Sequence, residues 1–414
     1  MTAHHASPAS RWPAFRTVVV LCFVAVFISY LDRSNLSVAA IPMQQELGWT
    51  ESVKGLVLSS FFVGYLLLQV GAGWLTNRFG GRRVLGVAVL WWSLFTFLTP
   101  FAARISLSAL IAARIALGIG EAAVFPGSFN MLGRWVHPDH RTRAVALVSS
   151  GVAMGTVFAL PVTAWIIRDH GWPMVFYAFG ALGFVWAAGW YGMVREGSDP
   201  ALPDAVDEGP RRVPWGRILR APAVWAIIIN HFCHNWSLYV LLAWLPSYFK
   251  TTFNVSLANA GLLSAAPWLA SFFMANTAGA WADRRLKAGV SATHVRKQLQ
   301  CVGLLGGATC LSLMPLVHSA GVASVLMCAA AAALACCMAG FGANGLDIAP
   351  RYADVIWGIS NTAGTLPGIF GVYVTGWLVE RTGGYAAPFL LTAAISVVGA
   401  VVYLLMGSGE RQID

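Results

Sequence analysis

The chain has 414 residues, of which 57% are hydrophobic and only 11% are charged. A soluble protein carries about 25% charged residues, so this composition excludes an ordinary soluble domain and predicts a polytopic membrane protein. The formal net charge of +10 also fits a nucleic-acid-binding protein, but the positive residues gather in short loops between apolar runs. We therefore expect the chain to lie in a lipid bilayer and to bind no nucleic acid.

Apolar runs long enough to cross a bilayer recur along the chain in two sets of six. The first set falls at 17–43, 53–76, 83–103, 106–132, 144–167 and 172–194, and the second at 223–249, 257–281, 298–317, 320–345, 353–379 and 385–407. We predict an all-α membrane protein with twelve transmembrane helices in two six-helix halves. The domains are then a tail at 1–16, a first half at 17–195, a linker at 196–222, a second half at 223–407 and a tail at 408–414.

The distribution of lysine and arginine orients these spans in the membrane. If both termini are cytoplasmic, twenty of the 27 positive residues fall in loops and span ends on the cytoplasmic side. Five fall on the other side: Lys54, Arg104, Arg168, Lys250 and Arg381. This asymmetry follows the positive-inside rule and predicts cytoplasmic termini. The remaining two positive residues, Arg33 and Arg114, lie within predicted spans.

The two halves also share short stretches of similar sequence. Segment 73–78, GWLTNR, resembles segment 279–284, GAWADR, and segment 162–165, VTAW, resembles segment 374–377, VTGW. Each pair occupies corresponding positions in the two halves. Paired halves of this kind are an architecture of secondary transporters, which bind their substrates near the membrane midplane.

Four charged residues lie well inside the predicted spans of the first half, away from the span ends: Asp32, Arg33, Arg114 and Glu121. A charge at membrane depth costs several kcal/mol unless it has a partner or faces water, so such residues indicate function. Arg114 and Glu121 are seven residues apart, nearly two turns, and share one helix face. Asp32 and Arg33 are adjacent and point about 100° apart. The structural alternative is an ion-pair network, for example between Arg114 and Asp32.

These residue types predict an anion site with a linked proton. Guanidinium groups bind carboxylates and phosphates through two hydrogen bonds. We therefore predict that Arg33 and Arg114 bind an anionic substrate. Burial favours the neutral form of a carboxyl group and a nearby arginine favours the charged form, so Asp32 and Glu121 are candidates for proton coupling. Glu121 is the stronger candidate because apolar residues follow it. Pro126 and Gly127 are expected to bend this helix.

No cofactor and no metal are expected. The seven cysteines lie in apolar runs without metal-ligand spacing, so we interpret them as small core residues. His231 and His234 are three residues apart, but no third ligand with suitable spacing accompanies them. A Gly-x4-Gly-Lys-Ser/Thr sequence is absent, so ATP is not expected to drive the protein.

A basic turn between the second and third spans contains Gly73, Asn77, Arg78, Gly80 and Arg82, and the second half repeats part of it with Asp283 and Arg284. This turn resembles the loop motif of the major facilitator superfamily, Gly-x-x-x-Asp-Arg/Lys-x-Gly-Arg-Arg. Asn77 stands where the motif usually has an acid, whereas Asp283 keeps the acid in the second half. The resemblance implies a cytoplasmic gate formed by these residues.

Further motifs resemble the anion–cation symporters within that superfamily. They lie at 30–35, 61–69, 114–126, 135–141 and 171–177 in the first half, and at 232–236, 244–248, 347–353 and 358–364 in the second half. The second-half motifs are similar to the branch that holds vesicular glutamate transporters, sialin and type-I phosphate transporters. The resemblance covers nearly the whole chain.

This resemblance implies anion binding by Arg33 and Arg114, proton-linked roles for Asp32 and Glu121, and a cavity-lining position for Tyr65. His234 stands where the glutamate carriers of this branch use an arginine, and histidine titrates near neutral pH. Ser360 and Asn361 are candidate hydrogen-bond donors to substrate. Their alternative role is helix packing by small polar residues.

The expected function is secondary active transport of an organic anion, a carboxylate or sugar acid, by alternating access with proton symport. Transport of inorganic phosphate, with sodium as the coupling ion, is the alternative. A receptor on the same fold would need a signalling domain, and an enzyme would need a nucleophile–base pair or metal set at membrane depth. Short loops favour a bacterial inner membrane as the location, and we expect a monomer.

Overall fold

The computed structural model describes residues 12–194 and 213–413. Within these ranges the chain is helical throughout, with short 3₁₀ segments and one π-helical turn. Twelve of the described helical segments are long and apolar enough to cross a membrane, and they match the twelve predicted runs. The predicted all-α class with twelve spans is therefore confirmed.

The helices before the linker are α1 (Trp12–Leu47), α2 (Glu51–Phe79), α3 (Gly81–Ile105), α4 (Leu107–Glu121), α5 (Val124–Trp135), α6 (Pro138–His170) and α7 (Trp172–Met193). Those after it are α8 (Trp215–Arg220), α9 (Pro222–Phe253), α10 (Leu257–Lys287), α11 (Ala292–Leu313), α12 (Ala320–Ala335), α13 (Ala343–Ile348), α14 (Ala353–Thr382) and α15 (Ala386–Met406). Several spans are longer than the apolar runs because polar residues at their ends continue the helix.

The fourth span is broken immediately after Glu121, so that α4 and α5 together form one crossing. Pro126 has no N–H and cannot bond the carbonyl of Ala122, four residues earlier. The helix is interrupted at Ala122–Ala123 and resumes with a hydrogen bond of 2.9 Å from Gly127 N to Ala123 O. The predicted bend is therefore present four residues before the proline, and it leaves Glu121 at a helix end.

The tenth span contains the π-helical turn, Met338–Gly342, between α12 and α13. The backbone N–H of Phe341 leaves the regular ladder and donates to Oε1 of Gln300 over 3.2 Å. Nε2 of Gln300 in turn donates to Oδ1 of Asn230 over 2.8 Å. Turns of this type occur often at functional sites, and this one brings Phe341 beside two histidines described below.

The described residues divide into two compact units. The first unit holds 12–33, 63–159 and 173–194, and the second holds 34–62, 160–172 and 213–413. The second unit thus includes the ends of α1, α2 and α6 together with all helices after the linker. The predicted domain boundaries at 17–195 and 223–407 follow the sequence halves and remain a prediction.

Gly64 allows a close crossing of α2 and α4 within the first unit. A Cβ added at this position would overlap the carbonyl oxygen of Ile115. Small residues permit such backbone approach in membrane helices. The crossing holds the next residue, Tyr65, near the charged residues of α1 and α4.

Candidate functional site

The four charged residues predicted well inside the spans of the first half are buried in the first unit. Asp32 and Glu121 are fully buried, and Arg33 and Arg114 are 7% and 2% exposed. Two helices supply them, because α1 carries Asp32 and Arg33 whereas α4 carries Arg114 and Glu121. We call these four residues the charge cluster. Buried charges are stable only when they are compensated, so the pairing within the cluster determines its chemistry.

Arg33 and Glu121 form an ion pair in which Nη2 lies 3.0 Å from Oε2. The hydroxyl of Ser29 donates to the same oxygen over 2.9 Å. Ser29 is four residues before Arg33, so both side chains leave one face of α1. Oε1 of Glu121 has no hydrogen-bond partner among the described residues. Oε2 of Glu121 thus accepts two hydrogen bonds, whereas Oε1 accepts none from the described residues.

Two tyrosines enclose the guanidinium of Arg33. Its central carbon lies 4.6 Å from the ring centre of Tyr30 and 4.9 Å from that of Tyr65. Nη1 also lies 3.4 Å from the hydroxyl of Tyr30. Cation–π contacts stabilise a desolvated guanidinium without neutralising it. Arg33 is therefore held in place by two aromatic rings in addition to its ion pair with Glu121.

Asp32 points away from Arg33, as expected for adjacent residues on a helix. Its carboxyl group faces the Thr96 hydroxyl and the Trp92 indole of α3. The charged groups that act on it are Glu121 and Arg114. Neither oxygen of Asp32 has a hydrogen bond of good geometry among the described residues. This carboxyl group is thus enclosed by helix residues without a direct ion pair.

Arg114 interacts electrostatically with both acids, Glu121 and Asp32, and is repelled by Arg33. The cluster therefore contains two positive and two negative groups, and its formal charge is zero when both acids are ionised. A single proton on either acid gives the cluster an excess positive charge. Such a cluster can bind one anion for each proton it takes up.

A second polar cluster lies in the second unit and contains no charged side chain: His231, His234, Asn235 and Ser360. Nδ1 of His231 lies 3.2 Å from Oγ of Ser360. Nδ2 of Asn235 donates to the carbonyl of Gly364 over 2.7 Å. Nδ1 of His234 is buried and has no hydrogen-bond partner among the described residues. We call these four residues the neutral cluster.

The remaining predicted substrate contacts lie on α14. Ser360 is fully buried, and its hydroxyl donates to the carbonyl of Trp357 over 3.1 Å. Asn361, the next residue, is partly exposed. The single hydroxyl hydrogen of Ser360 is thus used within the helix in this structure, and its role toward a substrate stays a prediction. Among the described residues, no group of three or more His, Cys, Asp or Glu could hold a metal ion.

The basic turn joins α2 to α3 through Gly80, whose φ of 83° favours glycine. Gly81 N donates to Oδ1 of Asn130 over 3.0 Å, and Arg82 donates from Nε to the carbonyl of Val194. Arg82 is therefore fixed to α7 of its own unit. The other predicted gate residues with charged or amide side chains, Asn77, Arg78, Asp283 and Arg284, are exposed, and no ion pair joins them to a described residue.

A buried lysine links first-half and second-half helices within the second unit. Lys54 is 1% exposed, and its Nζ lies 2.7 Å from Oε2 of Glu51 and 2.8 Å from Oε1 of Gln44. The same Nζ lies 4.8 Å from the ring centre of Trp244 on α9. The sequence pattern put Lys54 among loop charges. The structure corrects this interpretation, because Glu51 one turn earlier lets the ammonium be buried as a pair.

Lys54→Met is expected to loosen the contact of α1 and α2 with α9. The substitution removes the ion pair with Glu51, the hydrogen bond to Gln44 and the cation–π contact with Trp244. Hydrogen–deuterium exchange across 44–57 should accelerate at least tenfold. Lys250→Met, at the partly exposed end of α9, is the matched control and should leave this exchange unchanged. Equal exchange in both variants would contradict a linking role for Lys54.

Sequence reasoning did not assign roles to several residues that surround the charge cluster: Ser29, Tyr30, Trp92 and Thr96. Ser29 and Tyr30 carry a usable signal, because they lie four and three residues before Arg33 on the same helix face. Trp92 and Thr96 give no such signal, since their approach to Asp32 depends on which helices pack together. Tyr65 was predicted to line a cavity, and it contacts Arg33.

Comparison with known proteins identifies a family and several similar transporters. The family model described as Major Facilitator Superfamily matches residues 22–372. The chain is 41% identical to Probable anion transporter 4, chloroplastic, of Oryza sativa subsp. japonica, across 98% of this chain and 70% of that protein. It is 40% identical to the Ascorbate transporter, chloroplastic, of Arabidopsis thaliana, across 98% of this chain and 78% of that protein.

A third relative is the Sodium-dependent phosphate transport protein 1, chloroplastic, of Arabidopsis thaliana, which is 39% identical across 98% of this chain and 80% of that protein. A solved structure with the same fold is a bacterial homologue of the human lysosomal transporter Spinster, in an inward-facing and unoccupied conformation. It superposes with a TM-score of 0.82 at 18% identity, covering 97% of this chain and 98% of that one. By sequence and by fold, this chain belongs to the major facilitator superfamily.

Proposed function

We propose that this protein is a secondary active transporter that carries an organic anion, a carboxylate or sugar acid, together with a proton. The charge cluster supports this proposal most directly, because two arginines and two acids are buried with no net charge. The relatives named for anion, ascorbate and phosphate transport support the anionic class of substrate. Transport, and not an enzymatic reaction, is the proposed activity.

The proposed coupling begins at Glu121. Its Oε2 accepts hydrogen bonds from Arg33 and Ser29, so the arginine is engaged while the acid is ionised. A proton on Glu121 weakens the ion pair and leaves the guanidinium free to bind a carboxylate. Binding of the anion restores charge balance in the cluster. The proton and the anion therefore favour each other's binding, as symport requires.

The other predicted residues keep their proposed roles. Arg33, Arg114, Tyr65, His234, Ser360 and Asn361 contact substrate, and Asp32 and Glu121 couple the proton. The gate motif consists of Gly73, Asn77, Arg78, Gly80, Arg82, Asp283 and Arg284. We further propose a monomer in a bacterial inner membrane, with both termini cytoplasmic. The short loops and the positive-inside asymmetry support this topology, whereas the relatives named above are plant chloroplast proteins.

The second candidate function is sodium-coupled transport of inorganic phosphate. A relative with this printed function is 39% identical, and arginine pairs bind phosphate as well as carboxylate. The charge cluster offers the same two guanidinium groups to either anion. The two candidates differ in the coupling ion and in the groups that the substrate presents.

The test is uptake of labelled gluconate, ascorbate and phosphate into proteoliposomes. An inward proton gradient without sodium should drive gluconate or ascorbate above equilibrium, and a protonophore should abolish the accumulation. Accumulation of phosphate alone, and only with a sodium gradient, would replace the first candidate by the second. Failure of all three anions to accumulate under either gradient would contradict anion transport. Empty liposomes provide the control.

A further inference from the structure

We propose that His231 selects for hydroxylated anions by accepting a hydrogen bond from a substrate hydroxyl at its Nε2 atom. The inference rests on the proposed transport function and deepens it by naming the substrate class. It concerns the neutral cluster of the second unit, which the coupling chemistry does not use. Three observations carry it: a hydrogen-bond chain, a fixed ring and an atom without a protein partner.

The hydrogen-bond chain determines which nitrogen of His231 carries the proton. Oγ of Ser360 lies 3.1 Å from the Trp357 carbonyl, which can only accept, so the hydroxyl hydrogen is directed there. The same Oγ lies 3.2 Å from Nδ1 of His231 and must therefore accept from an Nδ1–H group. A neutral imidazole has one N–H, so Nε2 carries a lone pair.

The surroundings of His231 favour this neutral form and hold the ring in place. The ring centre lies 5.0 Å from that of Phe341 and 5.1 Å from that of Trp357. Gly364 borders the ring so closely that an added Cβ would lie 2.5 Å from Cδ2 of His231. The described groups that pack on this ring carry no charge. The ring is thus fixed between aromatic and backbone surfaces, with its two nitrogens in defined positions.

Nε2 of His231 makes no hydrogen bond to any described residue. Nε2 is not among the enclosed polar atoms of the described residues, so a donor from outside the protein can reach its lone pair. The hydroxyl groups of sugar acids and ascorbate are donors, whereas phosphate at neutral pH presents mostly acceptor oxygens. A fixed lone pair at Nε2 therefore favours hydroxylated anions and opposes phosphate. The four groups of the neutral cluster add no charge that would attract either anion.

His234, one turn later on α9, provides an instructive contrast. Its ring centre lies 5.7 Å from that of Phe341, but no hydrogen bond to a described residue fixes its Nδ1. Its proton can occupy either nitrogen, so His234 can act as donor or acceptor. Selectivity against acceptor-rich anions therefore belongs to His231, for which only one tautomer satisfies Ser360.

The test measures dissociation constants of gluconate and inorganic phosphate for the purified full chain, wild type and two variants. An asparagine amide can replace Nδ1 but has no atom at the Nε2 position, whereas a glutamine amide can place an oxygen near that position. His231→Asn should weaken gluconate binding about tenfold, the equivalent of one hydrogen bond, with less than a twofold change for phosphate. His231→Gln should retain gluconate binding within about threefold.

Each result has a distinct meaning. Equal weakening of both anions by His231→Asn, or equal loss of gluconate in both variants, would overturn the selection by Nε2 and leave a packing role. Phosphate binding by the wild type without gluconate binding would also overturn it, while anion transport would still stand. Thermal unfolding of each variant is measured in parallel. If the asparagine variant does not fold, unchanged gluconate preference in the glutamine variant supports the proposal and loss of that preference contradicts it.

Discussion

Glu121→Gln is expected to abolish proton-driven accumulation of the anion while exchange of anion across the membrane continues. The amide has nearly the same shape as the acid, and its oxygen can still accept from Arg33 and Ser29, which now lie 3.0 Å and 2.9 Å from Oε2. It cannot take up or release a proton. Under an inward proton gradient, internal anion should therefore rise only to the external concentration. Counterflow should remain within about tenfold of the wild type.

The matched control for this variant is Glu46→Gln near the end of α1. Its carboxylate accepts a hydrogen bond from the indole of Trp172 over 2.6 Å and belongs to the second unit. The same chemical change there should leave accumulation intact. Full accumulation by Glu121→Gln would remove Glu121 as the coupling acid. Asp32, which is fully buried and faces uncharged groups of α3, would then be the remaining candidate.

The number of spans and the charged residues inside them could be predicted from the sequence, because both depend on local composition. A run of apolar residues of bilayer length is visible without knowledge of its neighbours. A charge such as Arg114 inside such a run is equally visible. The break after Glu121 is partly local as well, since Pro126 indicates a bend but not its position.

The pairing inside the charge cluster could not be obtained in this way. The helix period shows that Arg114 and Glu121 share a face, but the ion pair joins Glu121 to Arg33 on another helix. Which helices touch depends on tertiary packing, including the close crossing at Gly64. Arg114 in turn interacts electrostatically with both acids, which the helix period alone does not show.

The same limit applies to the neutral cluster and to Lys54. His231 and Ser360 are 129 residues apart in sequence, and no local pattern relates them. Their contact, and the hydrogen bond from Ser360 to the Trp357 carbonyl that accompanies it, are visible only in the folded chain. Lys54 was counted among the loop charges but is buried, because a lysine at a span end resembles a loop charge until its partners are known. Residues whose role depends on distant partners are those that sequence patterns misassign.

Arg114→Lys is expected to weaken anion binding by tenfold to a hundredfold while the protein remains folded. Lysine keeps the positive charge, so the cluster still balances two acids with two bases. It loses the planar fork that binds a carboxylate through two hydrogen bonds. A hydrogen bond to a charged group contributes about 1.5–3 kcal/mol, which corresponds to the stated range. The measurement is the dissociation constant of gluconate together with the unfolding temperature.

Arg114→Gln separates binding from stability. This variant leaves Asp32 and Glu121 with one arginine, and an uncompensated buried charge costs about 3–5 kcal/mol unless the acid takes up a proton. We expect a lower unfolding temperature for the glutamine variant than for the lysine variant. Arg296→Lys is the control, because Arg296 also forms a fork, with Asp347 at 2.7 Å and 3.3 Å, in the second unit. It should leave gluconate affinity unchanged. If Arg114→Lys also binds gluconate with wild-type affinity, Arg114 serves to compensate Asp32 and Glu121, and Arg33 alone holds the anion in the first unit.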